Sequence, residues 1–263
     1  MSYTGIMPEL SVVIPAYNEE RRLPSTLDSV WTYLHGRGRS FEIIIVDDGS
    51  IDSTAQLVDD YAADHEGVRL ISYHPNKGKG HAVRTGMLAA EGDMVLFNDA
   101  DGSSPIEEVD RLEARVRDGG SEVAIGSRAK PDESRVVKAL AYRKYIGNTF
   151  NVIVQSLLLP GIQDTQCGFK LFRRDVAQDL FSVQRLNGFA FDVEVLYIAR
   201  IRGYSVDEVP INWTNVDGSK VNVLTDSPRM MLEVAKVALG AWTGRYRRVK
   251  GRSGKTKASN GVN

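Results

Sequence analysis

Short apolar runs alternate with helical patterns through the first half of the chain. Between the runs, apolar residues recur at three- and four-residue spacing, which is typical of amphipathic helices. The runs are continuous and rich in β-branched residues, as expected for strands buried on both faces. They predict strands at residues 10–15, 42–47, 68–73 and 94–99. This order predicts an α/β fold with a mostly parallel central sheet flanked by helices.

The second half has weaker patterns. Strands are predicted at residues 123–128 and within 204–213, where Pro210 favours an edge strand. The remaining predictions are a helical region at 136–159, a loop at 161–172, a helix containing 190–201 and a last helix starting at Ser227-Pro228. Because no linker divides the body, we expect one domain at residues 1–244 and a basic, disordered tail at 245–263.

Composition narrows the class of protein. The 263 residues carry a net charge near −1, which predicts no nucleic-acid partner for the body of the protein. Cys167 is the only cysteine, so an intramolecular disulfide is impossible and a reducing cytoplasm is the simplest location. The start of the chain lacks the pattern of a signal peptide, and every apolar run is shorter than the roughly 20 residues of a membrane span.

Polar clusters follow the four predicted strands of the first half. Because ligands bind beyond the carboxyl ends of parallel strands, clusters at four such ends predict one binding cleft. In chain order the clusters read PAYNEE, DDGSID, HPNKGKGHA and NDADGSS.

Asp99 and Asp101 stand one residue apart at the end of the fourth strand. Side chains alternate along a strand, so the two carboxylates are expected on the same side, where they repel each other. A divalent cation would relieve the repulsion, and Mg²⁺ prefers one or two carboxylates plus phosphate oxygens. The alternative is an ordinary turn leading to a helix that starts at Ser104-Pro105.

Several common chemistries are disfavoured by the motifs. The glycines in NKGKGHAVRTG match neither the dinucleotide fingerprint nor a Walker A loop, which argues against a dehydrogenase. The chain has no Gly-x-Ser-x-Gly elbow, which weakens a serine hydrolase interpretation. Its four histidines show no metal-ligand spacing.

The four clusters, in this order and spacing, resemble those of the inverting family 2 glycosyltransferases, which have a GT-A type nucleotide-binding fold. Further motifs in the second half are similar to those of dolichyl-phosphate glucosyltransferases, and the likeness covers roughly residues 10–245. These motifs are GSRA, GIQDTQCGFKLF, FDVEVLYIA, IRGYSVDEVPINWT and NWTNVDGSK. The resemblance implies metal-dependent transfer of glucose from UDP-glucose to a polyprenyl phosphate, with inversion.

The resemblance also implies roles for individual residues. Asp99 and Asp101 would bind Mg²⁺ or Mn²⁺, with Asp101 the more direct ligand. The other residues fall into three groups: nucleotide-sugar binding by Pro15, Tyr17, Glu19, Asp47, Asp48, Lys79 and Asp99; acceptor or phosphate binding by Arg128, Lys220 and Glu194; catalysis by Asp101, Asp164, Asp192 and Lys170. A capped turn at 47–50 and ordinary capping or ion pairing elsewhere are the competing interpretations. Asp192 and Glu194 are two residues apart on a helix, so only one is expected to face the site.

A phosphate monoester is largely dianionic at pH 7, so a polyprenyl phosphate acceptor would need no strong general base. Relatives of the dolichyl type commonly carry an N-terminal anchor, whereas this sequence begins almost at the first predicted strand. We therefore expect peripheral attachment to the cytoplasmic membrane face through the basic tail, assisted by apolar surface around residues 150–159 and Tyr246. Another nucleotide sugar or a soluble acceptor is the first alternative, and a non-catalytic nucleotide-sugar-binding protein is the second. The oligomeric state stays open.

Overall fold

A seven-stranded mixed sheet forms the centre of the protein in the computed structural model, which describes residues 7–130, 132, 134–138, 152, 154–216, 223–242 and 244–246. The strand order is β3-β2-β1-β4-β7-β5-β8, and β6 and β9 pair separately. The strands are β1 (Leu10–Ala16), β2 (Phe41–Asp47), β3 (Val68–Ser72), β4 (Met94–Asn98), β5 (Val123–Ser127), β6 (Val137–Lys138), β7 (Phe169–Arg173), β8 (Val206–Pro210) and β9 (Trp213–Thr214).

Helices cover both faces of this sheet. They are α1 (Leu23–Gly36), α2 (Thr54–Asp64), α3 (Lys79–Ala89), α4 (Val109–Arg117), α5 (Arg174–Phe181), α6 (Phe191–Ile201) and α7 (Val223–Trp242). Side chains of β1 alternate between the two cores: Val13 belongs to the core that includes α3, α5, α6 and α7, whereas Val12 belongs to the core that includes α1, α2 and α4. Continuous apolar strands are needed because both faces are covered.

Strand β7 runs antiparallel to β4 and β5, while the other strands of the main sheet are parallel to one another. A parallel strand ends at the carboxyl edge of the sheet, but β7 begins there. The loop before β7 is therefore brought to the same edge as Asp99, and Phe169 pairs with Asn98 in the sheet register.

The α/β class, the mostly parallel sheet and the edge position of β8 are confirmed. The loop predicted at 161–172 was wrong at its end, where β7 forms, and the sequence analysis missed α5. The helical region predicted at 136–159 was wrong at its start, which contains β6, and α7 begins before the predicted Ser227-Pro228. Lys220 and residues 247–263 lie outside the described residues, so the predicted domain boundary and tail stay predictions.

The described helices include none with both the length and the apolar character required to cross a bilayer.

Candidate active site

Contacts on both sides hold the loop that carries the aspartate pair. Asp99 and Asp101 follow directly after β4. The hydroxyl of Thr26 on α1 donates a hydrogen bond to the carbonyl oxygen of Ala100 at 2.9 Å. The backbone N–H of Ser103 donates to Asp101 Oδ1, also at 2.9 Å. The two carboxylates are thus held at the carboxyl edge of the sheet before any ligand binds.

Lys79 reaches the first aspartate from a neighbouring helix. Gly78, at φ +100°, allows the sharp turn into α3, so that Lys79 begins the helix beside the strand ends. The Nζ atom of Lys79 lies 2.6 Å from Asp99 Oδ1. Burial acts to lower the pKa of Lys79, but the carboxylates of Asp99 and Asp192 outweigh it and raise that pKa. Lys79 therefore remains a cation next to the aspartate pair.

Gly168 allows the Asp99 carboxylate to lie against the backbone of the loop before β7. The backbone N–H of Asp99 donates to the carbonyl oxygen of Gly168 at 3.0 Å. A Cβ atom at residue 168 would lie 1.9 Å from Asp99 Oδ2, far closer than atoms can approach. Any side chain at this position would displace the carboxylate.

A buried ion pair lies between the sheet and α6. Lys170 of β7 pairs in register with Phe97 on one side and Ile125 on the other. Its Nζ atom lies 2.6 Å from Asp192 Oδ1, and the two side chains are only 2% and 5% exposed. Burial raises the pKa of Asp192, although the positive charges of Lys170 and Lys79 oppose that rise. Each charged group is stabilised by its partner, because neither side chain is exposed to water that could solvate it.

One aromatic ring lies beneath both lysines. The centre of the Phe97 ring is 5.4 Å from Lys79 Nζ and 5.7 Å from Lys170 Nζ. These distances allow a cation–π contact from each ammonium group. The ring therefore connects the aspartate pair after β4 with the buried pair on β7 and α6.

Arg128 and Asp164 form a second ion pair at this edge, directly after β5. Arg128 Nε and Nη2 donate to the two oxygens of Asp164 at 2.7 and 2.8 Å. Burial acts to raise the pKa of Asp164, but the charge and hydrogen bonds of Arg128 outweigh it and lower that pKa. Asp164 is consequently a weak proton acceptor, and its contacts favour positioning Arg128 over general-base function. The Arg128 side chain remains 30% exposed.

The two aspartates at the end of β2, Asp47 within the strand and Asp48 directly after it, are occupied by protein donors. Asp47 is fully buried and accepts hydrogen bonds from the Ser50 backbone and the Ser72 hydroxyl, at 3.1 and 2.9 Å. Asp48 accepts three hydrogen bonds of 2.8 to 2.9 Å from residues 76–78. The capped-turn interpretation accounts for these contacts, and Asp48 also fixes the segment that leads into Lys79.

The segment after β1 gives its three predicted residues different surroundings. Pro15 is buried within β1, whereas Tyr17, directly after that strand, is 37% exposed. An exposed aromatic face at this edge is suited to packing against a planar ligand. Glu19 is buried and ion-paired with Arg22, so its carboxylate has a partner within the protein.

Sequence reasoning missed Arg22. Its Nε atom donates to Glu19 Oε2 at 2.7 Å. Burial acts to lower the pKa of Arg22, but the bond to Glu19 and the negative charges of Asp101 and Asp99 raise it. Arg22 therefore lies within the electrostatic field of the aspartate pair. The available signal was its position immediately beyond the PAYNEE cluster.

Glu194 lies apart from this cluster. Its carboxylate is buried and accepts hydrogen bonds from the backbone N–H groups of Arg185 and Leu186, at 2.9 and 2.7 Å. The Tyr246 hydroxyl donates to the other oxygen at 2.8 Å. The structure thus agrees with the expectation that only one of Asp192 and Glu194 faces the site. It does not support Glu194 as an acceptor ligand, nor Tyr246, which is 2% exposed, as membrane-facing surface.

The donor set at Asp99 and Asp101 fits a metal ion that completes its coordination with phosphate oxygens. Asp101 is partly exposed, and one of its oxygens is held by the turn. Across the described residues, no group of three or more His, Cys, Asp or Glu side chains is arranged to hold a metal ion. Mg²⁺ is typically bound by one or two carboxylates plus substrate phosphates, and carboxylates also suit Mn²⁺.

Comparisons with known proteins agree with this geometry. The sequence model of the family described as Glycosyl transferase family 2 matches residues 11–181. Dolichyl-phosphate beta-glucosyltransferase of Dictyostelium discoideum is 39% identical over 248 residues, which cover 89% of this chain and 76% of the relative. The Homo sapiens protein of the same name is 36% identical over 251 residues, covering 91% of this chain and 78% of the relative.

Solved structures with a similar fold include glucosyl-3-phosphoglycerate synthase from Mycobacterium tuberculosis. The complex of that enzyme with Mn²⁺, UDP-glucose and phosphoglyceric acid has a TM-score of 0.67 and 20% identity, covering 91% of this chain and 80% of that one. Its complex with UDP has a TM-score of 0.65 and 21% identity, covering 91% and 80%. At this identity the likeness concerns the fold alone, which is of the GT-A type.

Proposed function

Because the chain belongs to glycosyl transferase family 2 and is a glycosyltransferase, we propose that it transfers glucose from UDP-glucose to a polyprenyl phosphate of the dolichyl type, with inversion at the anomeric carbon. The donor would occupy the carboxyl edge formed by β1, β2 and β4. The acceptor phosphate would approach from the side of β5, β7 and α6.

The observation that carries this proposal is the extent of the match to the dolichyl-phosphate beta-glucosyltransferases. The family model ends at residue 181, within the second half of the chain, whereas the aligned relatives span 248 residues or more and so extend further into that half. That half contains α6 and β8, which lie at the proposed acceptor side. The likeness is therefore not confined to the donor half, which many family members share.

The acceptor would be a nucleophile without help from a protein base. A phosphate monoester has its second pKa near 6 and is mostly dianionic at pH 7. The carboxylates at the proposed acceptor side match this requirement, because Asp164 is paired with Arg128 and Asp192 with Lys170. We therefore assign these groups to positioning and charge balance rather than to proton transfer.

At the donor side, Asp99 and Asp101 would hold a divalent metal ion, and Lys79 would keep the Asp99 carboxylate in place. When bound, such an ion neutralises charge that develops on the departing diphosphate. Arg22 would add a second positive charge within the field of the aspartate pair. Tyr17 would supply an exposed ring beside the nucleotide.

At the acceptor side, Arg128 is the cation best placed to meet a phosphate. Asp164 fixes two of its donor nitrogens, and 30% of the side chain remains open. Lys170 is too deeply buried to reach solvent, so we expect it to orient the Asp192 carboxylate and to balance its negative charge. A lipid acceptor also implies that the enzyme works at a membrane surface.

We expect purified protein to convert radiolabelled UDP-glucose and a short polyprenyl phosphate into a lipid-linked product. Label should enter the organic phase when Mg²⁺ or Mn²⁺ is present and should remain in water when EDTA is added. UDP- and GDP-linked sugars other than UDP-glucose serve as matched controls. UDP release with all label remaining in water would instead indicate a soluble acceptor or hydrolysis, and label extracted from another donor would change the assigned sugar.

We expect Gly168→Ala to lower the transfer rate by about a hundredfold. The added methyl group must displace the Asp99 carboxylate, and a misplacement of this size at a reacting centre commonly has that effect. The matched control is Gly36→Ala at the end of α1, where a Cβ atom would meet nothing within 4 Å. Initial rates and melting temperatures of both variants check the prediction. Normal activity of the Gly168→Ala protein would show that Asp99 is not part of the proposed site.

A further inference from the structure

Helix α7 presents an apolar stripe to solvent on the face opposite the core. Leu232 and Leu239 are each 67% exposed, although leucine is normally buried. They are seven residues apart and so lie on one side of the helix. The inward side packs into the core through Met230, Glu233, Val234 and Val237.

Between residues 229 and 240 of α7, the charged residues are also divided between the two sides of the helix. Arg229 and Lys236 are exposed, like the two leucines. Glu233 is the only acidic residue between 229 and 240, and it is buried. The outward side of this segment therefore combines apolar side chains with two cations and no carboxylate. Such a pattern is typical of helices that lie in the plane of an anionic membrane surface.

The helix lies directly beside the proposed acceptor side. Glu233 Oε2 accepts a hydrogen bond from the backbone N–H of Ala190 at 3.4 Å, two residues before Asp192. The inner side of α7 thus contacts the end of α6 that carries the buried ion pair. The outer side is about 10 Å away, the diameter of one helix. A surface that touches Leu232 would consequently lie close to the expected position of the acceptor phosphate.

A neighbouring segment adds exposed apolar side chains. Val152 and Leu157 are 60% and 65% exposed. Val154 and Leu158, between and beside them, are buried in the same core cluster as Val234 of α7. The prediction of apolar surface around residues 150–159 is therefore supported for two described side chains, whereas Leu158 and Leu159 belong to the core.

We propose that the outward side of α7, formed by Arg229, Leu232, Lys236 and Leu239, rests on an anionic lipid surface. This inference rests on the proposed lipid acceptor and names the surface from which that acceptor is taken. The sequence beyond α7 favours the same partner, since residues 245–257 contain seven Lys and Arg residues and no acid. A second copy of the chain fits less well, because pairing this face with itself would place four cations and no exposed carboxylate of residues 229–240 in one interface.

Vesicle sedimentation of the full chain tests the proposal. The probes are phosphatidylcholine vesicles with and without phosphatidylglycerol. We expect retention on the phosphatidylglycerol vesicles, weakened by salt. Leu232→Gln/Leu239→Gln should lower the partition coefficient at least about tenfold, because two exposed leucines that the lipid would cover are lost from the contact. The matched control is Leu88→Gln, at an exposed leucine on α3, which should bind like the wild type.

Two double variants, each of which removes two positive charges, complete the experiment. Arg229→Gln/Lys236→Gln should weaken retention, whereas Arg115→Gln/Arg117→Gln on α4 removes the same charge and should have little effect. Equal retention of the wild type and the double leucine variant would overturn the proposal. An equal loss of retention in the α7 and the α4 double charge variants would also overturn it. Failure to bind any vesicle would also overturn it. Transfer to a short, water-soluble polyprenyl phosphate tests the proposed function separately, and we expect the α7 variants to keep that activity.

Discussion

Asp101→Asn is expected to lower glucosyl transfer by about a thousandfold, which corresponds to about 4 kcal/mol of transition-state stabilisation. Asparagine can still accept the hydrogen bond from the Ser103 N–H, so the turn after β4 should keep its shape. The change removes the negative charge that would hold a divalent ion against the donor diphosphate. Initial rates over a series of Mg²⁺ and Mn²⁺ concentrations measure the effect.

The matched control for this prediction is Asp118→Asn, an exposed aspartate at the end of α4. That variant should retain full activity and the same metal dependence. Binding of UDP in the presence of EDTA should be similar for the wild type and for Asp101→Asn, because the lost interaction passes through the metal ion. If Asp101→Asn kept its activity within tenfold, the assignment of the metal to this aspartate would be wrong.

Lys170→Met is expected to lower the free energy of unfolding by about 3–5 kcal/mol, because it leaves Asp192 buried without its main counter-charge. Methionine has a similar length and fills most of the same space, so the loss reflects charge more than packing. Chemical denaturation measures it. The control is Lys130→Met, which changes an exposed lysine and should alter stability by no more than about 0.5 kcal/mol.

The double variant Lys170→Met/Asp192→Leu separates stability from function. Removing both buried charges should restore most of the lost stability, since a buried ion pair is often no better than apolar residues of similar volume. Transfer activity should nevertheless stay at least about a hundredfold below that of the wild type if the pair positions the reacting groups. A double variant that regains both stability and activity would make Lys170 and Asp192 purely structural.

Strands β1, β2 and β4 could be predicted because burial on both faces leaves a largely apolar run in the sequence. Strand β7 could not be predicted in this way, since Lys170 is the second residue of a five-residue strand. A charged residue within so short a run is typical of a loop unless a buried partner is known. That partner, Asp192, lies 22 residues further along the chain, and no local pattern connects the two.

The candidate site, too, could be predicted only in part from local sequence patterns. Asp99, Asp101 and Lys79 come from motifs at strand ends, which the parallel topology brings to one edge, so their proximity was predictable. Asp47 and Asp48 have the same residue type and the same position in the fold, yet their oxygens bind protein donors. Sequence position alone does not distinguish a carboxylate left open to a ligand from one that closes a loop.

Strand β7 also protects the donor half of the protein from association with other chains. Without β7, one side of β4 would present unpaired backbone groups, and an apolar edge of that kind readily adds strands from other molecules. β7 covers this edge, but it does so with a buried lysine, Lys170, within the strand. We therefore expect substitutions that weaken the Lys170–Asp192 pair to lower the yield of dispersed protein during expression, in addition to their effect on transfer.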